Sequence, residues 1–175
     1  LELLDNGSIN GTPIERTAWR NYHLWANNTG GTFEANLSIA VHDLDADWLD
    51  LVDGVGTLDY GSSWPSLIVP VGRWTFPVGL DWNDRPIISA GHSGKGRVVG
   101  YGHEGFVANQ GGGNETTMSL NAIKWACGGT SKTIGVQSDY SHFEDELAAE
   151  GYNVIGNAWP DSLSSFDCFI GDFWN

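Results

Sequence analysis

The chain has 175 residues, 41% of them apolar and nine of them Trp, which supports a packed core and excludes a disordered polymer. A formal net charge of −14, from 22 acidic residues against eight Lys and Arg, argues against nucleic-acid or anionic-membrane partners, which need a basic face. No apolar run approaches the roughly 20 residues of a membrane helix, no signal peptide is visible, and the LELLD start without Met reads as a processed or partial form.

Leu1 to Leu4 opens apolar and residues 6–13 carry turn chemistry. Such an arm either pairs within its own domain or adds as a strand to a neighbouring molecule. Residues 18–25 and 33–41 read as strands. In the second, Phe33, Ala35, Leu37, Ile39 and Val41 alternate with Thr32, Glu34, Asn36, Ser38 and Ala40, the pattern of a half-buried strand. Asp43, Asp45 and Asp47 open like a calcium loop, but Trp48 and Gly54 stand where an EF-hand needs Gly and Glu. The run instead predicts a short amphipathic helix, capped by Asp45 or Asp47, that buries Trp48, Leu51, Val52 and Val55. Residues 67–71 and 74–80 are strand-like, with Pro65, Pro70 and Pro77 marking ends or edges.

Asn-x-Ser/Thr sequons occur at Asn6, Asn10, Asn27, Asn36 and Asn114. Chance placement of 13 Asn among 24 Ser and Thr gives about two, so five is an excess pointing to a secreted glycoprotein. The competing source is an Asn- and Thr-rich strand-and-turn region, which yields sequons without glycans.

Residues 87–90 and 98–103 are short apolar runs separated by Gly91-His-Ser-Gly-Lys-Gly96, the signature of a hairpin or tight strand connection. Gly94-Lys95-Gly96 looks like a fragment of a phosphate loop, yet Gly96 and Arg97 follow the Lys and lead into a strand, not a helix. His103-Glu104 resembles half of a zinc helix, but the second His would fall at Val107. Met118, Ile123 and Trp125 lie among helix formers, and Gly128-Gly129 ends the segment.

The run GKGRVVGYGHEGFV, preceded by WPSLIVPVGRWTFPV and followed by a helix with an Asn and a Trp, resembles the TRP-channel-associated factors. It also resembles the non-catalytic part of their enhancin-like, mucin-degrading metallopeptidase relatives. The resemblance covers roughly residues 47–175, with Gly94, Lys95, Gly96, Arg97, His103 and Glu104 in its most specific part. It implies a β-rich region leading into a domain with the fold of class I glutamine amidotransferases. The metallopeptidase motif is absent, so protease activity does not carry over.

The last third changes character. Residues 133–138 predict a strand, and 141–150 a helix with Ser141 as N-cap and Glu144 completing a capping box. Residues 153–158 and 167–173 predict further strands. This alternation implies parallel pairing in an open α/β sheet, incomplete at the C-terminus. Cys127 and Cys168 either form one disulfide, as a secreted chain allows, or stay buried thiols. Neither sits at a strand-to-helix elbow, and Cys127 at a helix end has the dipole set against a thiolate.

The expected fold is α/β, or α+β overall, with a β-rich region over 1–85 and an amidotransferase-like, flavodoxin-like parallel sheet over 86–175. The expected function is non-enzymatic: an extracellular glycoprotein module for self-association or recognition, such as a fibre, matrix or mucus subunit. No cofactor, nucleic acid or membrane insertion is implied, and the partners would be further copies or other extracellular glycoproteins. The alternatives are an accessory domain of a mucin-degrading zinc metallopeptidase, and a glycan-binding module resting on Trp64 or Trp74.

Overall fold

The computed structural model describes residues 2–3, 9–10, 13, 15–59, 65–107 and 113–172. Asn6 and Trp64 lie outside the described residues. Contacts divide the chain into two units, Leu1–Leu44 and Asp45–Asn175.

In the first unit, β1 (Glu2–Leu3) pairs antiparallel with β2 (Ile9–Asn10). The arm thus pairs within its own chain. β3 (Thr17–Asn28) and β4 (Gly31–Val41) form a long antiparallel hairpin. Directly paired residues share a face, so Tyr22 with Leu37 and Leu24 with Ala35 lie on the apolar side, and His23 with Asn36 and Asn21 with Ser38 on the polar side. Ser38 Oγ–H donates to Asn21 Oδ1 across the polar side (2.6 Å), and His23 Nδ1–H to Asn36 Oδ1 (3.0 Å).

The second unit opens with α1 (Leu44–Val52), whose first residue closes the first unit. A three-stranded antiparallel sheet follows, in the order β5 (Thr75–Leu80), β6 (Pro86–Ser93), β7 (Gly96–Tyr101). Pro77 is tolerated because β5 is an edge strand. Next come α2 (Asn114–Cys127), β8 (Thr133–Val136), α3 (Glu144–Ala149), β9 (Asn153–Ile155) and β10 (Cys168–Ile170). The last three strands form a parallel sheet with β8 in the centre, flanked by β10 and β9. The architecture is a mixture of antiparallel sheets, a small parallel sheet and helices, α+β at the coarse level. Among the described residues no helix is long and apolar enough to cross a membrane.

Helix α2 serves both sheets of this unit. Met118, Ala122 and Trp125 are buried at i, i+4, i+7, and Trp125 meets Phe76 of β5 edge-on at 6.2 Å. Leu120, Ile123 and Cys127 lie on another side and pack against the core of the parallel sheet, which includes Ile134, Val136, Phe143 and Leu147. The helix's first turn also anchors the preceding loop. Asn114 Oδ1 accepts Gly56 N–H (3.0 Å), and its Nδ2–H donates to Thr57 C=O (2.7 Å).

Three local expectations need correction. On α1 the buried pair is Asp47 and Leu51, one turn apart, whereas Trp48 is 41% exposed. The reason is that the Asp47 carboxylate turns inward. Its Oδ1 accepts Trp125 Nε1–H (2.9 Å) and its Oδ2 accepts His92 Nε2–H (2.7 Å), with both carboxylate and imidazole almost fully buried. The expected capping box of Ser141 and Glu144 does not form either. Residues Ser138–Phe143 make a 3-10 turn, Ser141 C=O accepts Glu144 N–H, and α3 starts one step later. Finally, residues 67–71 join no strand ladder. They run as a strap fastened by Ser66 N–H to Gly102 C=O (2.8 Å) and Ile68 N–H to Pro86 C=O (2.9 Å). Gly102 is required there, because a Cβ would collide with the Ser66 carbonyl.

Two outcomes follow from these contacts. Asp47→Ala strands two buried donors, and removing one partner of a buried hydrogen-bonded pair costs about 3–5 kcal/mol. Urea unfolding should show that loss, with Asp47→Asn losing less because one acceptor oxygen remains. In the β5–β6 turn, the Arg85 guanidinium bonds Asp81 Oδ2 (2.8 and 2.6 Å), and the Asn83 and Arg85 N–H groups bond Oδ1. Arg85 foremost holds this carboxyl below its usual range, outweighing burial. A depressed carboxylate pKa gives stability that is full above the unfolded value of about 4 and is lost as pH falls through the folded one. The stability gap between the native chain and Arg85→Ala should therefore narrow between pH 7 and strongly acidic solution.

Candidate functional site

The motif stretch 94–104 begins at the β6–β7 turn. Ser93 pairs with Gly96, leaving Gly94 and Lys95 as a two-residue loop with Gly94 at φ 57°. A glycine with positive φ at the first loop position fits a primed turn, whose twist matches the flanking strands. The glycines here build a hairpin and no phosphate cradle.

Arg97 stands opposite His92 on β7. Its guanidinium lies over the Trp125 ring at 5.1 Å, and Nη1–H donates to the Trp125 carbonyl in the last turn of α2. The carbonyls of a last helical turn lack intrahelical donors and carry the negative end of the dipole, so a cation there is favourable. Gly128 and Gly129 N–H groups both take the Lys124 carbonyl (3.1 Å each). Arg97 thus continues the Asp47–His92–Trp125 cluster to the surface.

Beside this cluster is a cleft of about 780 Å3 between the end of α1 and the end of α2. Trp125, Arg97, Lys124, Asn121, Asp50 and Asp53 contribute to its wall. Asn121 Nδ2 donates to the Leu51 and Asp53 carbonyls (3.1 and 2.8 Å), which fixes the end of α1. The lining holds cations, carboxylates and an indole, but no Ser, Thr, Cys or His. Such a wall can bind a polar ligand, and it offers no nucleophile paired with a base.

His103 and Glu104 sit just beyond β7. The Gly105 N–H donates to His103 Nδ1 (2.9 Å), which places the ring proton on Nε2, and the Glu104 carboxylate lies 3.7 Å from Nδ1. Below them Ser119 Oγ–H donates to the Phe106 carbonyl (3.1 Å). At the carboxyl ends of β8 and β10, Gln137 and Asp172 bond reciprocally, side chain to side chain and side chain to backbone, both at 3.0 Å. The neighbouring Tyr140 hydroxyl is pushed up to about 12, by burial first and then by the charges of Asp172, Glu104 and Asp139. Among the described residues no group of three or more His, Cys, Asp or Glu could hold a metal ion.

The remaining singled-out residues lie apart. Cys127, the last residue of α2, is disulfide-bonded to Cys168, the first of β10, with Cα atoms 5.7 Å apart. Asn27 and Asn36 are exposed on the β3–β4 hairpin, and Asn114 has its side-chain amide engaged by residues 56 and 57. Sequence reasoning missed Asp47, Asn121 and Trp125 as one polar framework. The only signal available was an acidic residue on the same helical side as Leu51.

The family model described as "TRPM8, N-terminal domain" (TCAF_N) matches residues 32–172. The chain is 35% identical over 127 residues to a TRPM8 channel-associated factor homolog of Xenopus laevis, covering 72% of this chain and 14% of that protein. It is 32% identical over 129 residues to TRPM8 channel-associated factor 1 of Homo sapiens, covering 73% and 14%. It is 33% identical over 110 residues to TRPM8 channel-associated factor 2 of Bos taurus, covering 62% and 12%. The chain thus spans a small part of the length of these relatives. No solved structure matches it.

These findings overturn the expectation of a secreted, self-associating glycoprotein, together with its extracellular location and its partners. These relatives are named for association with the TRPM8 channel, and none of them for a fibre, a matrix, mucin degradation or glycan binding. The physical reason for the misreading is composition. Asn27 and Asn36 stand among the Asn, Ser and Thr that the polar side of the β3–β4 hairpin demands, so sequons accumulate there without reporting a compartment. By its match over 32–172, this chain belongs to the TRPM8 channel-associated factor family, in the region of that family's N-terminal domain.

Proposed function

We propose that this chain is a non-enzymatic binding module of a channel-associated factor, and that its target is a TRP-type channel of the kind for which its relatives are named. The family match over 32–172 carries this reading. The chemistry of the chain supports the non-enzymatic half. Both cysteines are spent in one disulfide, the motif arginine is committed to the end of α2, and the cleft between the ends of α1 and α2 lacks a nucleophile.

Within residues 86–175, the part from β8 onward further reads as an amidotransferase-like region put to structural use, whereas β6 and β7 pair with β5. The order β9-β8-β10 supports this, since a central first strand flanked by the second and third is how a flavodoxin-like sheet begins. The crevice outside the carboxyl ends of β8 and β10 is then filled by the Gln137–Asp172 pair.

The test is co-expression of the tagged chain, residues 1–175, with TRPM8 in cultured cells, followed by affinity capture in mild detergent. The channel should be retained well above a tag-only control. Capture no better than the control would remove the channel-binding reading for this chain. In parallel, the purified chain should show no glutaminase turnover, and turnover abolished by Cys127→Ser or Cys168→Ser would overturn the non-enzymatic half.

A further inference from the structure

The acidic residues of this chain are unevenly placed. No Asp or Glu occurs between Asp59 and Asp81 or between Asp84 and Glu104, although the chain has 22 of them. Those two stretches supply the strap 65–71 and the strands β5–β7, and they hold Arg73, Arg85, Lys95 and Arg97, half of all Lys and Arg. Arg85 is paired with Asp81, and Arg97 is turned onto Trp125. Arg73 lies over the Trp74 ring at 5.1 Å, and among the described residues neither Arg73 nor Lys95 meets a carboxylate.

Arg73 and Lys95 stand at the same end of the sheet. Thr75 pairs with Gly91 and Trp74 C=O accepts His92 N–H (3.0 Å), so Arg73 comes level with the turn that carries Lys95. Leading away from that end is a groove of about 280 Å3 between the strap and the sheet, floored by small residues such as Gly91 and Gly100. Its rim is apolar and exposed: Val69 is 64% accessible, Val71 83% and Val98 60%. The strap also has a free edge. Ser66 and Ile68 turn their N–H groups inward to Gly102 and Pro86. Alternate residues of an extended chain point the other way, and among the described residues no backbone group meets Leu67 or Val69.

We infer that this groove binds an extended acidic peptide segment, which drops an apolar side chain between Val71 and Val98 and sets its carboxylates against Arg73 and Lys95. Strand addition along Leu67 and Val69 supplies main-chain hydrogen bonds, the groove supplies the side-chain pocket, and the two cations fix polarity. The charge pattern selects the occupant. A basic or neutral partner would meet two uncompensated cations here and find its complement elsewhere on this acidic chain. A membrane surface is the weaker fit, since lipid-binding patches gather about four to eight Lys or Arg and here there are two without a carboxylate partner among the described residues. The site is independent of the channel reading, because it is defined by a peptide and read without any channel present.

A display library of random dodecapeptides selected on the immobilised chain tests this. Enriched peptides should share an aliphatic or aromatic anchor flanked by Asp or Glu. Fluorescence anisotropy with the best of them should show binding about tenfold weaker or worse for Val98→Asp and for the pair Arg73→Glu with Lys95→Glu, as expected when a pocket or a charge contact is lost. All three positions are on the surface, so circular dichroism and thermal melts should match the native chain, and Val98→Ser provides a milder pocket variant. No enrichment, enrichment of basic peptides, or affinity unmoved by these substitutions would overturn the inference. So would phosphatidylserine vesicles that bind in place of peptides and are released by the same charge reversals.

Discussion

The second unit depends on one buried carboxylate. Removing a charge from water is costly unless it is paired and fully hydrogen-bonded, and Asp47 meets that requirement only when α1, β6 and α2 are assembled together. Its two oxygens are taken by His92 from the strand and Trp125 from the helix. The three elements come from sequence positions 45 and 78 residues apart, so these two hydrogen bonds define a register that non-directional apolar packing would leave loose. Arg97 extends the same line outward, its guanidinium over the indole and its N–H on the carbonyl of the same Trp. The motif residues nearest this cluster are therefore parts of a joint between sheet and helix.

Helix α2 distributes that constraint to the rest of the unit. One side of it faces the antiparallel sheet through Trp125 and the other the parallel sheet through Ile123 and Leu120. The disulfide then ties its last residue to β10, 41 positions along the chain. On a chain-entropy account, closing a loop of that length restricts the unfolded state by about 4 kcal/mol. Both the carboxylate and the disulfide act on the helix's C-terminal half, whereas at its N-terminal end Asn114 holds residues 56 and 57 and Glu115 accepts the Asp59 N–H.

How much of this was legible follows from the range of each signal. The β3–β4 hairpin was visible because alternation is local: five apolar residues at every second position leave few other conformations. The β6–β7 hairpin was visible because Gly94 meets a backbone requirement within two residues. Asp47 was misread because a run of five Asp looks solvated, and its partners lie 45 and 78 residues away. The Ser141 capping box matched a local pattern, but the 3-10 turn at Ser138–Phe143, which buries Tyr140 and Phe143, displaced it. The compartment was misread most completely. Sequon counting treats Asn and Thr as chemical acceptors when, on a polar strand side, they are first of all backbone-compatible surface residues.

Placing the acids in this way has a consequence for recognition. A net charge of −14 spread evenly would repel every acidic partner before contact. Here the antiparallel sheet and its strap carry none of that charge except at the Asp81–Asp84 turn, where Asp81 is already paired with Arg85. An acidic segment approaching along these strands meets less of that repulsion, because few carboxylates lie on them. Within a Debye length of about 8 Å at physiological salt, Arg73 and Lys95 reverse its sign. The field thereby orients an acidic partner toward one sheet end before any apolar contact is made, so specificity for that end needs no large buried area. What keeps the sheet end open is the same economy that built the core: His92 and Arg97 face α2, and the opposite side of these strands is left to glycine, serine and a strap tied down at Ser66 and Ile68.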